Sequence, residues 1–293
     1  MRVFLGYDTK CLTKDKITSG RVGGTERFFL LLENYLKSQG HTINSSSVYD
    51  IAIHSNTTIY SVNAKRHVCW CGSFHTTDAK TGNYDLIIAN SDLMLEYIGR
   101  DGIVIPACYD SEIEQYKSSS YVERKIITTA NPNRHFLDML KVIDLLHKSK
   151  TEFSWLITGG NKLYSNNFSE QFKVEKDSSV GYRGILNRGE LLTELSTSHV
   201  FCYPNFSDNS ETQCVSMIEA SVLGLPIIVP KRRPFVDVLP DNLYFVKSIE
   251  EFAETTKHVL SLRRNDLRVC DISKYTEKAV FSQINTAINE LVS

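Results

Sequence analysis

The chain has 293 residues, 42% of them hydrophobic and 23% charged, with a net charge of −1. That length exceeds what a single hydrophobic core sustains, so two domains are expected. The near-neutral balance gives no reason to expect a nucleic-acid partner, which needs concentrated Lys and Arg. The basic clusters at Lys231 to Arg233 and at Arg263 and Arg264 are short enough to be solvated patches. Seven cysteines, an odd number scattered along the length, argue against a disulfide framework and for a reducing, cytoplasmic setting. Cys69 and Cys71 are read as small core residues facing opposite ways on a strand, a poor zinc geometry. No charged-then-apolar leader pattern and no 18-residue apolar run is present, so no transmembrane segment is expected.

In chain order, Arg2 to Tyr7 reads as a first strand buried on both faces, followed by a polar loop over 8–21. Gly23 and Gly24 then precede a helix whose apolar positions Phe28, Leu31, Leu32, Tyr35 and Leu36 keep helical spacing, with Gly40 closing it. A strand, a glycine pair and a helix let a backbone approach a ligand phosphate closely. The spacing is not the dinucleotide pattern G-x-G-x-x-G, which disfavours a nicotinamide dehydrogenase. Tyr49 to His54, His67 to Cys71 and Tyr84 to Ala89 read as short buried strands, Ser91 opens a helix, and Ile103 to Pro106 is a further strand. Strands alternating with helices give a parallel sheet with its ligand crevice at the strands' C-terminal ends. His54, the loop with Ser73 and His75, and Asn90 with Ser91 fall at such ends.

A hydrophilic linker, Glu112 to Arg124, leads to a second unit. It holds a strand at Lys125 to Thr129, then a helix with Asn131 or Asn133 as cap and Phe136, Leu140, Ile143 and Leu146 as its apolar stripe. A strand at Phe153 to Thr158 ends in Gly159 and Gly160. Val180 to Gly184, a helix from Arg188 to Ser196 and a strand at Val200 to Pro204 complete a second parallel sheet.

The segment Glu211 to Val229, ETQCVSMIEASVLGLPIIV, carries the densest signal. Val215, Ile218 and Val222 are spaced as on a helix, Gly224 stands at its end, and Pro226 bars continuation before a buried strand, Ile227 to Val229. Ser207, Asp208, Asn209, Ser210 and Thr212 are residue types that cap a helix N-terminus. Such a terminus offers free backbone N–H groups and partial positive charge to a phosphate or diphosphate. Glu211 and Glu219, eight positions apart, lie about 12 Å from each other along a helix. Carboxylates accept hydrogen bonds from sugar hydroxyls, so the pattern proposes a ligand with hydroxyls at both ends and phosphates between them, a nucleotide-sugar.

The pattern Glu, seven residues, Glu-Ala, then Gly-x-Pro-apolar-apolar resembles the signature of retaining glycosyltransferases of the GT-B fold, family four (glycosyl transferases group 1). Gly23, Gly24, Thr25, Glu26 and Arg27 resemble that family's Gly-Gly-x-Glu-Arg loop across the cleft from the donor phosphates. The resemblance implies an α/β chain of two Rossmann-like domains with parallel sheets facing a cleft, here with a shortened N-terminal domain. Its boundaries would be 1–120 for the acceptor side and 121–274 for the nucleotide-sugar donor side. The family's last helix crosses back to the first domain, and the helical pattern of 275–293 is the candidate for it. The roles implied are donor-sugar hydroxyls for Glu211, ribose for Glu219, donor contacts at Thr212, Gln213 and Cys214, and diphosphate for Arg134 together with Gly23 and Gly24. Thr212 and Gln213 stand where the family has Phe-Gly, His135 stands where it has Gly, and its second basic residue falls at Thr129.

No Asp-x-Asp metal motif is present, and no metal or further cofactor is implied. The donor would be a UDP- or GDP-sugar, and the acceptor a hydroxyl of a glycan, lipid or protein-linked group, with peripheral membrane contact left open. His75 is the first choice for a polar group near the reacting carbon and His54 the second, set against the commoner structural role of a lone His. The leading expectation is a metal-independent hexosyl- or pentosyltransferase of carbohydrate biosynthesis with front-face, retaining transfer. The alternatives are an epimerase or hydrolase on the same fold, and a degenerate module that binds a nucleotide-sugar or glycan.

Overall fold

The computed structural model describes residues 1–6, 24–55, 61–74, 77–117, 120–129, 135–159, 178–206, 211–238, 243–264 and 271–293. They form two six-stranded sheets in which every recorded strand pair is parallel. This is the α/β arrangement expected from the alternation of strands and helices.

The first sheet has the order β2-β1-β3-β4-β5-β6. Its strands are β1 (Arg2–Gly6), β2 (Thr42–Ile43), β3 (Tyr49–Ser55), β4 (Ala64–Cys71), β5 (Leu86–Ala89) and β6 (Ile103–Val104). Between them run α1 (Gly24–Ser38), α2 (Thr77–Thr81) and α3 (Asp92–Ile98). Ser91 caps α3 by accepting from the Met94 amide, and Gly99 ends it at φ 69°, the left-handed region where glycine lacks a Cβ penalty. Phe28, Phe29, Leu32 and Leu36 of α1 pack on Val3, Leu5, Ile51, Ile53, Val68 and Trp70. The rings of Phe28 and Trp70 stack at 4.6 Å.

Cys69 and Cys71 do not face opposite ways. Alternate strand residues share a face, and the two Sγ atoms lie 3.5 Å apart in a buried cluster with Ala79, Ile87 and Met94. The contact with the Cys69 thiol, and then burial, push the Cys71 thiol well above its usual range. The described cysteines are all free and buried, and among the described residues no group of three or more His, Cys, Asp or Glu could hold a metal ion.

The second sheet has the order β12-β11-β10-β7-β8-β9. It comprises β7 (Lys125–Thr129), β8 (Ser154–Thr158), β9 (Val180–Tyr182), β10 (Val200–Cys202), β11 (Ile227–Pro230) and β12 (Tyr244–Val246). Its helices are α4 (Phe136–Lys148), α5 (Arg188–Ser196), α6 (Val215–Val222), α7 (Phe235–Val238) and α8 (Ile249–Ser261). The buried stripe of α4 is Met139, Val142, Ile143 and Leu146, with Asp138 buried as well, so the expected stripe through Phe136 and Leu140 is turned. Asp138 accepts from the Phe206 amide, a long-range partner that periodicity does not register.

Helix α8 has no counterpart in the sequence reading, although Ser248 followed by Glu251 is a start signal. Ser248 does cap it, and Phe252, Val259 and Leu260 are buried. After α8 the chain passes a 3₁₀ turn, Ser273–Tyr275, and enters α9 (Glu277–Val292). Val280, Phe281, Ile284 and Ile288 of α9 join the core of the first sheet, with Phe281 packed edge-on to Phe28. No helix of the described residues is long and apolar enough to cross a membrane.

Candidate functional site

In an open parallel sheet a ligand crevice forms at the C-terminal ends of the strands where the strand order reverses. In the second sheet this reversal lies between β7 and β10. The two strands are tied there by Thr128, whose hydroxyl donates to the Cys202 carbonyl (2.6 Å) and accepts from Trp155 Nε1 (2.9 Å). Beyond the end of β10 come Tyr203 and Asn205, both fully buried, and then the segment that carries Glu211.

Glu211 is 9% exposed, and both of its carboxylate oxygens are engaged. Oε2 accepts from the Tyr203 hydroxyl at 3.1 Å, and Oε1 accepts from the Cys214 amide at 2.9 Å. Cys214 is the N-cap residue of α6, at φ 62° and ψ 68°, and makes no side-chain cap bond. Expected caps Ser207, Asp208, Asn209 and Ser210 lie outside the described residues, and Thr212 does not cap. Glu211 does this work instead, three residues ahead of the amide it accepts from. A left-handed conformation in a residue with a Cβ is strained and persists only where the surroundings fix it. Here the fixing contacts lie on both sides of the crevice.

Thr212 donates its hydroxyl to the Gly72 carbonyl (2.8 Å) and accepts from Asn90 Nδ2 (3.0 Å). Gln213 accepts from the Ala107 amide through Oε1 (2.8 Å) and donates to the Ala107 carbonyl through Nε2 (3.1 Å). Gly72, Asn90 and Ala107 follow β4, β5 and β6, so the side chains of Thr212 and Gln213 meet the first sheet rather than an open pocket. Arg233 adds an exposed pair across the same divide, with Glu96 at 2.8 Å.

Glu219 lies one turn inside α6, 8% exposed. Its Oε1 is 2.6 Å from Nη1 of Arg188, the first residue of α5. Burial works against the Arg188 charge, yet Glu219, then Asp110 and Glu112, hold its pKa above the ordinary value. Sequence reading did not single out Arg188. Its helix start was legible, since Asn187 and Glu190 form a capping box, but pairing with a residue 31 positions later has no local signal. Asp110 and Glu112 also take Arg27 of α1: Arg27 Nε donates to Asp110 Oδ2 at 2.7 Å, and Nη2 reaches Glu112 at 3.0 Å. Arg27 is thereby drawn onto the segment joining the two sheets.

No protein-family model matches the chain, and no curated protein matches it in sequence. Solved structures do match its three-dimensional form. A glycosyltransferase from Rickettsia africae ESF-5 superposes with a TM-score of 0.69 at 12% identity, over 100% of this chain and 98% of that one. AviGT4, a glycosyltransferase involved in avilamycin A biosynthesis, gives 0.67 at 11% identity, again over 100% and 98%. Anabaena Alr3699/HepE, solved in complex with UDP and glucose, gives 0.62 at 10% identity over 99% of each chain. The chain has the GT-B fold.

In this GT-B frame the expected site residues separate into two groups. Glu211, Thr212, Gln213, Cys214 and Glu219 lie together on one loop and helix. Gly24 is the first residue of α1. Gly23, His75 and Arg134 lie outside the described residues, as do Asn131, Asn133 and Gly160. Thr129 ends β7 and is buried. His135, 1% exposed, packs edge-on against the Tyr203 ring at 5.1 Å and so backs the tyrosine that holds Glu211. His54 is fully buried, its Nε2 3.0 Å from Nδ1 of His67 and the two rings stacked. It is held within the first sheet in this conformation.

Proposed function

We propose that this chain is a retaining, metal-independent glycosyltransferase of the family-four type. It would move a sugar from a nucleotide-diphosphate donor, a UDP- or GDP-sugar, to a hydroxyl of a glycan, lipid or protein-linked acceptor in the cytoplasm. The observation that carries the reading is the buried Glu211 carboxylate. Tyr203 and the Cys214 amide fix it at the mouth of α6, where the strand order of a GT-B sheet reverses. The presence of UDP and glucose in the HepE structure, a full-length structural match, supports a nucleotide-sugar as donor.

In this reading Glu211 accepts from donor-sugar hydroxyls. Its charge supports the positive charge that develops at the anomeric carbon. Glu219 holds the ribose while Arg188 orients its carboxylate. The N-terminus of α6 and the backbone of Thr212, Gln213 and Cys214 lie toward the diphosphate in this reading, the Cys214 amide itself being held by Glu211, with Arg134, Gly23 and Gly24 completing the cradle. The acceptor oxygen bonds to the anomeric carbon on the face from which the diphosphate oxygen departs. That oxygen takes the acceptor's proton, and His75 is the polar group beside the reacting carbon. The acceptor-side domain is placed at 1–120 with the helix of 275–293, and the donor-side domain at 121–274.

The test is a thermal-shift panel of UDP-, GDP- and ADP-sugars, because a ligand of the native state raises its melting temperature. Donor turnover is then followed with and without acceptor hydroxyls. A selective shift with acceptor-dependent turnover is expected. Turnover without acceptor identifies a hydrolase or epimerase, a shift without turnover a binding module, and no shift at all removes the nucleotide-sugar reading.

A further inference from the structure

The geometry points to Thr212 and Gln213 as positioning residues: they fix Glu211 through the first domain, so that the donor carboxylate is in register only when the two sheets are docked. The inference rests on the donor-sugar role of Glu211 proposed above.

Three strand ends of the first sheet converge on two consecutive residues of the second domain. The hydrogen-bonding directions are forced at each. A carbonyl only accepts, so Gly72 O takes the Thr212 hydroxyl proton, and the lone pair left on Oγ1 must meet a donor, which Asn90 Nδ2 supplies. The Ala107 amide only donates and its carbonyl only accepts. Gln213 therefore lies against them in a single orientation, much as a strand neighbour would. Gln213 is buried to 1% exposure and Thr212, Asn90 and Ala107 to 5%, while Gly72 is half-buried. Gly72 is sterically required. A Cβ there would stand 2.4 Å from the Trp70 ring, so a side chain at this position would displace either that ring or the backbone whose carbonyl Thr212 uses.

Glu211 precedes this pair and strained Cys214 follows it, so the four residues form one short rigid segment anchored at both ends. From the second domain Tyr203 holds the Glu211 carboxylate, and from the first domain Gly72, Asn90 and Ala107 hold the backbone that carries it. Separation of the sheets would leave Thr212 and Gln213 to water, which replaces such bonds at small net penalty. The docked arrangement is therefore responsive to the loss of one side chain. Neither side chain points its polar atoms at a ligand, so their loss falls on the rate of the chemical step and not on donor binding.

The experiment combines kinetics with hydrogen exchange. Gln213→Leu and Thr212→Val should lower kcat 10- to 100-fold, while nucleotide affinity stays within threefold and the Ala107 amide exchanges faster. Thr212→Ser, which keeps the hydroxyl, should restore wild-type kcat. Gln213→Glu supplies a readout that a merely structural role would not move. Its ionised carboxylate opposes the Ala107 carbonyl, whereas the protonated acid can donate to it. The ratio of its kcat to the wild-type value should therefore rise as the pH is lowered, a trend absent from Gln213→Leu. An Ala107 amide that stays protected in Gln213→Leu overturns the cross-domain bond. Wild-type kcat in the Leu and Val variants, with the amide deprotected, overturns the positioning role. Loss of nucleotide affinity as large as the loss of kcat would overturn it too, in favour of direct donor contact. A wild-type chain that turns over no donor overturns the transferase reading and the positioning role with it, while the exchange data still decide the bond.

Discussion

At its mouth, α6 is tied to the first sheet through Thr212 and Gln213, whereas its far end is pinned inside the second domain by the guanidinium of Arg264. That side chain is 5% exposed. Nη1 donates to the carbonyls of Ser196 (2.5 Å) and Ser198 (3.0 Å), Nε to Gly224 (3.4 Å), and Nη2 to Leu223. One cation thus satisfies carbonyls at the C-termini of both α5 and α6, where the helix dipoles are negative. Burial lowers its pKa from the ordinary value. The mouth uses neutral hydrogen bonds that can exchange with water as the domains move, while the far end uses a buried charge whose loss leaves orphaned carbonyls. The contrast predicts a helix whose base governs folding and whose mouth governs chemistry.

The largest stability effect should therefore come from the base. Arg264→Leu is expected to destabilise the protein by about 3–5 kcal/mol, because buried carbonyls lose the guanidinium donor. Urea denaturation measures this, and at low temperature the folded fraction should keep its kcat. A variant as stable as wild type would break the comparison. At the mouth, Glu211→Gln should lower kcat at least ~100-fold, roughly 3 kcal/mol of transition-state stabilisation, with nucleotide affinity within several-fold and the urea midpoint little changed. An unaffected rate would remove Glu211 from the reaction.

Glu219 lies between the two ends and should show both behaviours at smaller scale. Glu219→Gln removes the charge partner of Arg188 and is expected to cost about 1–3 kcal/mol of stability and about tenfold in nucleotide affinity, read by calorimetry. The smallest effect belongs to His199, whose Nδ1 accepts from the Arg124 amide at 3.1 Å and whose pKa burial lowers from its ordinary 6.5. The unfolded chain then binds a proton more readily than the native one, so stability is lost as the pH falls below about 6.5. His199→Gln should flatten that part of the stability profile, and an unchanged slope would assign it to other groups.

Much of this was legible in local sequence. The strands were continuous short apolar runs, as in sheets covered on both faces, and β7 and α5 start and end where the pattern puts them. The parallel sheets followed from the strand–helix alternation, and the GT-B arrangement from a family resemblance carried by Glu211 to Val229 and by Gly23 to Arg27. The errors were also physical. The stripe of α4 keeps Ile143 and Leu146 but takes Met139 and Val142 in place of Phe136 and Leu140, with Asp138 buried and bonded to Phe206, 68 positions away. The two thiols of β4 were assigned to opposite faces although strand periodicity puts them on the same one.

By itself, then, the sequence determined most of the strands and helices, though not α8, because periodicity and capping act within a few residues. It also placed Glu219 on a helix with Glu211 at its mouth. Only the tertiary structure decided what those carboxylates touch. Arg188 reaches Glu219 from another helix, and Tyr203 and the Cys214 amide hold Glu211. Arg264, which composition presented as surface charge, lies under two helix ends. Each of these bonds joins groups that chain spacing cannot relate, since they become neighbours only when two sheets and their helices are packed.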